Sequence, residues 1–306
     1  MASPTLPATP TPDDYRFLWL ELTGRCQLKC RHCYANSGPQ GTHGSMELTD
    51  WLTVIAQAPR NGVKRVQFIG GEPTLHPHFH ALTLQALNAG LEVEVYSNLA
   101  HVSDKTWEVL SHPGVRLATS FYSDDPAQHA LITGGRATFH HTVRNIQRAL
   151  AAGIPLRAGM VRVLENQRLE QGRELLACLG VQKIGADSMR VLGRPAGDSV
   201  PDVKQLCGNC GRRSAAVLPD GSVTPCPLAR WMRSSVDVRE AGLSAALEAM
   251  RPHRELIAAT VRPITMCGPD NDGECHPCEP SCTPGCDPGV SSGDNDDDGK
   301  GGKGTG

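Results

Sequence analysis

Three cysteines lie close together near the start of the chain, at Cys26, Cys30 and Cys33. They follow an apolar stretch, residues 17–22, which we interpret as the first strand of the fold. Four cysteine thiolates would close a structural zinc site, whereas three leave one metal position free for a substrate or cofactor. The spacing therefore indicates chemistry at iron. The alternative is a fragment of a zinc site that is completed by residues elsewhere.

Composition excludes several classes of partner. The chain has 306 residues and a net charge of −2, so it has no general electrostatic reason to bind nucleic acid or acidic membranes. Residues 1–13 contain neither a basic start nor an apolar run, which argues against a signal peptide or membrane span. We therefore expect a cytoplasmic protein, in which most of the twelve cysteines are metal ligands rather than disulfides. The isolated Cys178 is expected to be a small buried side chain.

One feature recurs five times along the chain: a helical segment ends in glycine, and an apolar residue then opens a strand-like run. With the first strand, this predicts six strands separated by helices, which is a parallel α/β pattern. A doubly wound sheet fits this pattern equally well, but the unusual residues fall just after strands, and that favours a barrel. The five pairs are Gly62-Val63, Gly90-Leu91, Gly114-Val115, Gly153-Ile154 and Gly180-Val181.

The composition changes after Arg194. Residues 195–204 are interpreted as a linker, residues 215–226 as a β-hairpin around Pro219-Asp220-Gly221, and residues 243–250 as a helix. Residues 267–288 are dominated by Cys, Pro and Gly, and metal binding could order them. The predicted organisation is a flexible N-terminus (1–13), a partial barrel (14–194), a small Cys-rich domain (195–290) and a disordered tail (291–306).

The run from Cys26 to Tyr34 resembles the cluster-binding motif of the radical S-adenosylmethionine (SAM) enzymes. The resemblance implies that Cys26, Cys30 and Cys33 hold a 4Fe-4S cluster whose fourth iron is chelated by the amino and carboxylate groups of SAM. It also implies that His32 and Tyr34 lie near the adenine. The implied fold is a partial (β/α)6 barrel, similar to a TIM barrel but open on one side to admit substrate.

A second segment, Gly70-Gly71-Glu72-Pro73, matches the same family directly after the second strand. Two glycines let the backbone approach a ligand closely, and a carboxylate beyond them can accept hydrogen bonds from an ammonium group. By resemblance this segment binds the SAM amino group. The alternative is an ordinary turn.

Polar residues at later strand ends extend the resemblance. Ser97, Asn98 and Ser120 are expected to bind the ribose hydroxyls, and the alternative is that they are ordinary strand-end residues. Arg190 resembles the arginine that contacts the SAM carboxylate in peptide-modifying members of the family. A surface arginine is the alternative for this position.

The C-terminal cysteines resemble the SPASM or twitch extensions, which hold auxiliary iron-sulfur clusters. Their number would suffice for two four-cysteine clusters, although the spacing of the last four departs from the family pattern. A structural zinc knuckle is the alternative. The eight residues are Cys207, Cys210, Cys226, Cys267, Cys275, Cys278, Cys282 and Cys286.

The resemblance implies an enzyme that cleaves SAM reductively to methionine and a 5'-deoxyadenosyl radical, which then abstracts hydrogen from a substrate. Family members with such extensions modify peptides, so we expect cross-linking or another modification of a ribosomally made peptide. The alternatives are radical chemistry on a small metabolite or on a protein side chain, as in sulfatase maturation, and a non-catalytic iron-sulfur or zinc binding protein.

The expected partners follow from this chemistry. They are an electron donor such as flavodoxin or ferredoxin and the peptide substrate. Only sixteen residues precede the first strand, so a separate protein is expected to bind the leader peptide.

Overall fold

The computed structural model describes residues 15–262. Its strands form one sheet in the order β6-β5-β4-β3-β2-β1-β7-β8. All neighbours pair in parallel except β7 and β8. The six predicted parallel strands are confirmed. The strands are β1 (Phe17–Thr23), β2 (Arg65–Gly70), β3 (Glu92–Tyr96), β4 (Val115–Phe121), β5 (Leu156–Arg162), β6 (Lys183–Ser188), β7 (Ser214–Val217) and β8 (Val223–Thr224).

Helices connect the parallel strands, and two of them lie between β4 and β5. The hydroxyl of Ser103 accepts a hydrogen bond from the Thr106 amide and caps α3, as its position before the helix predicts. The helices in residues 15–262 are α1 (Leu48–Gln57), α2 (Phe79–Asn88), α3 (Asp104–Leu110), α4 (Pro126–Thr133), α5 (Thr138–Ala151), α6 (Leu169–Cys178), α7 (Val238–Glu248) and α8 (Arg251–Thr260).

The sheet has a concave face, on which polar side chains from different strands contact one another. Arg157 on β5 reaches past β4 to pair with Glu94 on β3 at 2.7 Å, and Gln67 on β2 donates to the same carboxylate. On the opposite face, Leu18, Leu20 and neighbouring residues pack under the helices in the largest apolar core. The architecture is therefore the predicted partial (β/α)6 barrel.

The region after β6 completes the sheet. The predicted hairpin is confirmed as β7 and β8, and β7 pairs in parallel with β1, so the hairpin extends the barrel sheet. Short 3-10 turns occupy Arg194–Ala196 and Val203–Gln205 in and beside the predicted linker. In α7, a first turn capped by the Asp237 carboxylate precedes Gly242, whose backbone is not helical (φ +78°), and the predicted helix begins after this break at Leu243.

One further prediction is wrong, and three others lie outside the described residues. The prediction that Cys178 is buried is wrong: it is the last residue of α6 and is exposed, because the apolar face of this helix buries Leu176 instead. The predicted flexible N-terminus (1–13), the Cys-rich segment (267–288) and the predicted disordered tail (291–306) lie outside the described residues. Within residues 15–262, every helix is too short or too polar to cross a membrane.

Candidate active site

One pocket lies at the carboxyl ends of the parallel strands, where barrel folds gather their active sites. All three cysteines of the loop after β1 line it. Of the residues predicted to contact SAM, His32, Tyr34, Gly70, Gly71, Asn98 and Ser120 also line it. The remaining lining residues are Leu28, Ser37, Ile69, Tyr96, Tyr122 and Val161.

Backbone hydrogen bonds hold the cysteine loop in place. The amides of Lys29 and Arg31 donate to the carbonyls of Thr133 and Ile132 at the end of α4, at 3.2 and 2.9 Å. Two further amides, from Leu28 and Ser37, point at the sulfurs of Cys26 and Cys33 at 3.4 and 3.3 Å. These contacts fix the loop with its three cysteines lining the pocket.

Burial keeps the thiols of Cys26 and Cys30 neutral unless a cation accompanies them. Burial raises the pKa of Cys26 to about 12, and burial followed by the neighbouring Cys26 and Cys33 thiolates raises the pKa of Cys30 further. Three thiolates cannot share this site unless a cation compensates them, and metal coordination deprotonates a thiol outright. The donor set therefore fits an iron-sulfur cluster.

A single zinc ion makes a different geometric demand. It would require its ligands to converge on one point at about 2.3 Å from the metal. In the part of the chain that the structure describes, no group of three His, Cys, Asp or Glu side chains converges in this way. A 4Fe-4S cluster gives each cysteine its own iron, so it does not require such convergence.

The two glycines after β2 approach the cysteine loop itself. A Cβ on Gly71 would lie 2.3 Å from the Arg25 carbonyl oxygen, and one on Gly70 would lie 2.5 Å from that of Thr23. Glycine is therefore required here for contact between two loops, and both residues also line the pocket. Pro73 lies behind this wall and opens a short 3-10 turn.

Glu72 is fully buried behind the pocket wall and joins two strand ends. One carboxylate oxygen accepts from the Thr74 hydroxyl at 2.7 Å, and the other accepts from the Asn98 amide at 2.9 Å. Burial raises the pKa of this carboxyl, and these hydrogen bonds oppose the shift. The observed contacts of Glu72 orient the end of β3.

The remaining predicted SAM contacts divide into two groups. Asn98 and Ser120 face the pocket. The side-chain nitrogen Nδ2 of Asn98 lies 3.7 Å from the Cys26 sulfur, and the Ser120 hydroxyl donates to the Tyr96 hydroxyl at 3.3 Å. Ser97 is buried beneath the pocket, where its hydroxyl accepts from the Leu99 amide. Arg190 lies off the pocket, with its guanidinium against Asp187 and the Gln205 carbonyl.

An aromatic wall completes the pocket, and two of its members were missed in the sequence. The Tyr122 hydroxyl lies 3.0 Å from His32 Nε2, and burial lowers the pKa of His32 to about 4, so this imidazole is neutral at pH 7. Tyr96 is the last residue of β3, and Tyr122 directly follows β4. The strand-end argument applied to Ser97 and Ser120 would have found both tyrosines had it been extended to aromatic residues.

A buried acid on the concave face was also missed. Glu21 on β1 is 1% exposed, and one of its oxygens accepts a hydrogen bond from Arg230, which follows β8. The other oxygen, Oε1, is buried without a hydrogen-bond partner in residues 15–262. A glutamate inside an otherwise apolar strand was the available sequence signal.

Three cysteines of the extension, Cys207, Cys210 and Cys226, lie together. The sulfurs of Cys207 and Cys210 are 3.7 Å apart. Hydrogen bonds from Cys207 and Cys226, together with burial, raise the pKa of Cys210 well above its usual value. The other predicted auxiliary ligands, Cys267, Cys275, Cys278, Cys282 and Cys286, lie outside the described residues.

Comparison with known proteins matches the site to a family. The model of the radical SAM superfamily matches residues 20–171, which contain the cysteine loop and the Gly-Gly-Glu-Pro segment. The sporulation killing factor maturation protein SkfB of Bacillus subtilis is 32% identical over 143 residues, 46% of this chain and 34% of SkfB. A probable GTP 3',8-cyclase of Methanosarcina mazei is 32% identical over 153 residues, 47% of this chain and 45% of the cyclase.

A solved structure shares the fold. SuiB of Streptococcus suis, bound to the precursor peptide SuiA, superposes with a TM-score of 0.67 at 15% identity, covering 83% of this chain and 69% of SuiB. This chain spans between about a third and a half of the length of the two curated relatives above.

Proposed function

The chain belongs to the radical SAM superfamily, and on that premise we propose that it is an enzyme that modifies a ribosomally made peptide by radical chemistry. The observation that carries the proposal is the single pocket lined by Cys26, Cys30 and Cys33 together with Gly71 and Asn98. These residues combine three cluster ligands with backbone and amide groups suited to a polar cofactor.

We propose that Cys26, Cys30 and Cys33 hold a 4Fe-4S cluster and that SAM occupies the adjoining pocket. When bound, the cluster supplies one electron for the reductive cleavage of SAM to methionine and a 5'-deoxyadenosyl radical, which abstracts hydrogen from the substrate. The protein contributes positioning. It places the adenosyl group and the substrate carbon in contact, and the buried pocket wall excludes water.

Individual side chains are proposed to orient SAM. His32, Tyr34 and Tyr122 present ring faces for the adenine, and Asn98 and Ser120 present polar atoms for the ribose. The Gly70-Gly71-Glu72-Pro73 segment is proposed to bind the amino group through its backbone, since the Glu72 oxygens already accept hydrogen bonds. Arg190 needs a conformational change before it can reach the carboxylate from its place beside Asp187.

A peptide substrate is supported by the maturation role in the name of SkfB and by the peptide bound to SuiB. A second candidate is a small metabolite, because GTP 3',8-cyclase is as similar in sequence. Modification of a protein side chain is a further proposal.

We also propose auxiliary iron-sulfur binding by Cys207, Cys210 and Cys226. The other proposals are an external electron donor such as flavodoxin or ferredoxin, a separate leader-binding protein and a cytoplasmic location.

The proposal is tested by anaerobic reconstitution with iron and sulfide, reduction with dithionite and assay of 5'-deoxyadenosine after SAM is added. We expect Cys30→Ala to lower its formation by about 10³-fold or more, equivalent to about 4 kcal/mol of barrier. Cys178→Ala is the matched control, because Cys178 is exposed on α6, and it should behave like the wild type. A fully loaded wild type whose reduced cluster spectrum does not respond to SAM would contradict the proposal.

A further inference from the structure

The segment after β6 contacts the cysteine loop after β1, although β2 to β5 separate these two strands in the sheet. The Arg194 amide donates to the Cys33 carbonyl at 2.9 Å. Its guanidinium donates to the Ser37 carbonyl at 2.6 Å through Nη2 and to the Cys30 carbonyl through Nη1. One residue therefore binds three backbone carbonyls of the loop that carries the cysteines.

Close backbone packing brings Arg194 to this position. Gly193 has a φ of +61°, and a Cβ there would lie 2.1 Å from the Tyr34 carbonyl oxygen. Only glycine tolerates both this conformation and this approach. The contact links the carboxyl ends of the first and sixth strands, so the open barrel is closed at its rim by a loop-to-loop contact rather than by strand pairing.

We propose that Arg194 is a positioning residue for the cluster: it fixes the conformation of the cysteine loop and places a permanent positive charge beside Cys30. Because this role concerns cluster ligands, it rests on the function proposed above. The two parts of the role have different chemical requirements. The first part, which we call the grip, is the pair of hydrogen bonds from the guanidinium to the Cys30 and Ser37 carbonyls, and it needs a planar group with two donors. The second part, the charge, needs only a cation.

Two substitutions separate these requirements. Arg194→Lys keeps the positive charge but cannot donate to both carbonyls in the same way, and Arg194→Gln removes the charge and the fork together. Arg173→Gln is the matched control, because Arg173 pairs with Glu170 on the exposed side of α6, away from the cysteine loop. Circular dichroism and melting temperature establish that each variant is folded.

The grip is measured without iron or SAM, so its result is independent of catalysis. In metal-free protein under reducing conditions, we expect the backbone amides of the cysteine loop, residues 26–37, to exchange hydrogen about tenfold faster or more in Arg194→Gln than in the wild type. This rate does not depend on thiolate formation. Loss of charge-assisted hydrogen bonds to the two carbonyls supports a change of this size. Arg194→Lys should be faster than the wild type as well, and Arg173→Gln should match the wild type. Equal rates in Arg194→Gln and Arg173→Gln would overturn the grip.

The charge is measured on reconstituted protein as the midpoint potential for one-electron reduction of the cluster by dithionite, because nearby charge tunes this potential. We expect a more negative potential in Arg194→Gln, since a positive charge stabilises the reduced cluster, and a near-wild-type potential in Arg194→Lys. Equal shifts in both variants would overturn the role of the charge. If the wild type shows a protected loop but its fully loaded, reduced cluster does not respond to SAM, the proposed function fails while the grip stands.

Discussion

The two groups of cysteines within residues 15–262 have different surroundings. Cys26, Cys30 and Cys33 line a pocket, and Cys30 and Cys33 are half-buried with backbone amides and polar side chains nearby. The extension cysteines belong to an apolar core, in which Cys210 and Cys226 are about 5% exposed. The first group therefore lies beside a cavity, whereas the second is packed among apolar side chains.

The contact between these two regions makes the first test. Arg230 follows Cys226 and donates to Glu21 on β1, where the acid is almost fully buried. Burial raises the pKa of Glu21, and Arg230 opposes this shift. We expect Arg230→Ala to lower the free energy of unfolding at pH 7 by about 3–5 kcal/mol, because it leaves a buried charge without its partner.

The free energy of unfolding of Arg230→Ala should depend on pH, in the direction that the raised pKa of Glu21 sets. In this variant Glu21 has a folded pKa above the unfolded value, so the penalty applies at neutral pH and is relieved as the pH falls through the folded pKa. Urea unfolding between pH 7 and 5 measures this recovery. A loss of only about 1 kcal/mol, as expected for an exposed pair such as Arg148 with Asp104, would mean that Glu21 and Arg230 do not hold the two regions together.

The apolar core around the extension cysteines is the second test. Leu206 is 1% exposed and belongs to the same cluster as Cys210 and Cys226. Leu206→Ala should lower the free energy of unfolding by about 3 kcal/mol through lost burial and a cavity. It should also speed alkylation of Cys210 in metal-free protein but leave that of Cys30 unchanged. The exposed Leu256→Ala should stay within about 0.5 kcal/mol of the wild type. Equal acceleration at Cys30 would show that the two regions are not separate.

The third test concerns the cysteine-loop side alone. Burial lowers the pKa of His129 to about 4, and this residue lies in α4, the helix whose end binds the loop amides. In the unfolded chain His129 binds a proton near pH 6.5, whereas in the folded chain it stays neutral until the pH nears 4. The free energy of unfolding therefore falls as the pH drops from 6.5 toward 4. At pH 5 the loss is about 2 kcal/mol.

His129→Gln should remove that part of the difference in unfolding free energy between pH 7 and pH 5, measured with urea. His112→Gln is the control, because His112 is exposed on the loop before β4. If the two variants show the same pH dependence, burial of His129 is not the source of the acid sensitivity.

The sequence predicted what local chemistry determines. Each of the five glycines before the strands adopts a positive φ, so the strand positions could be found from helix ends. The cysteine loop and the Gly-Gly pair were also local. In contrast, Arg230 meets Glu21 across 209 residues of chain, and Arg194 meets Cys30 across 164. No local pattern encodes such pairs, because they depend on how the sheet curves and on which loops meet at its rim.

The position of β1 in the sheet has a consequence for synthesis. Its two neighbours are β2 and β7, and Ser214 of β7 follows the end of β6 by 26 residues. During translation at about 5–20 residues per second, six strands are therefore complete for about 1–5 s before β7 is made. Throughout that interval, β1 has an unpaired edge and Trp19 lacks the apolar partners that the later residues provide. During this interval the unpaired edge is open to pairing with another chain, along the same strand that leads into the cysteine loop.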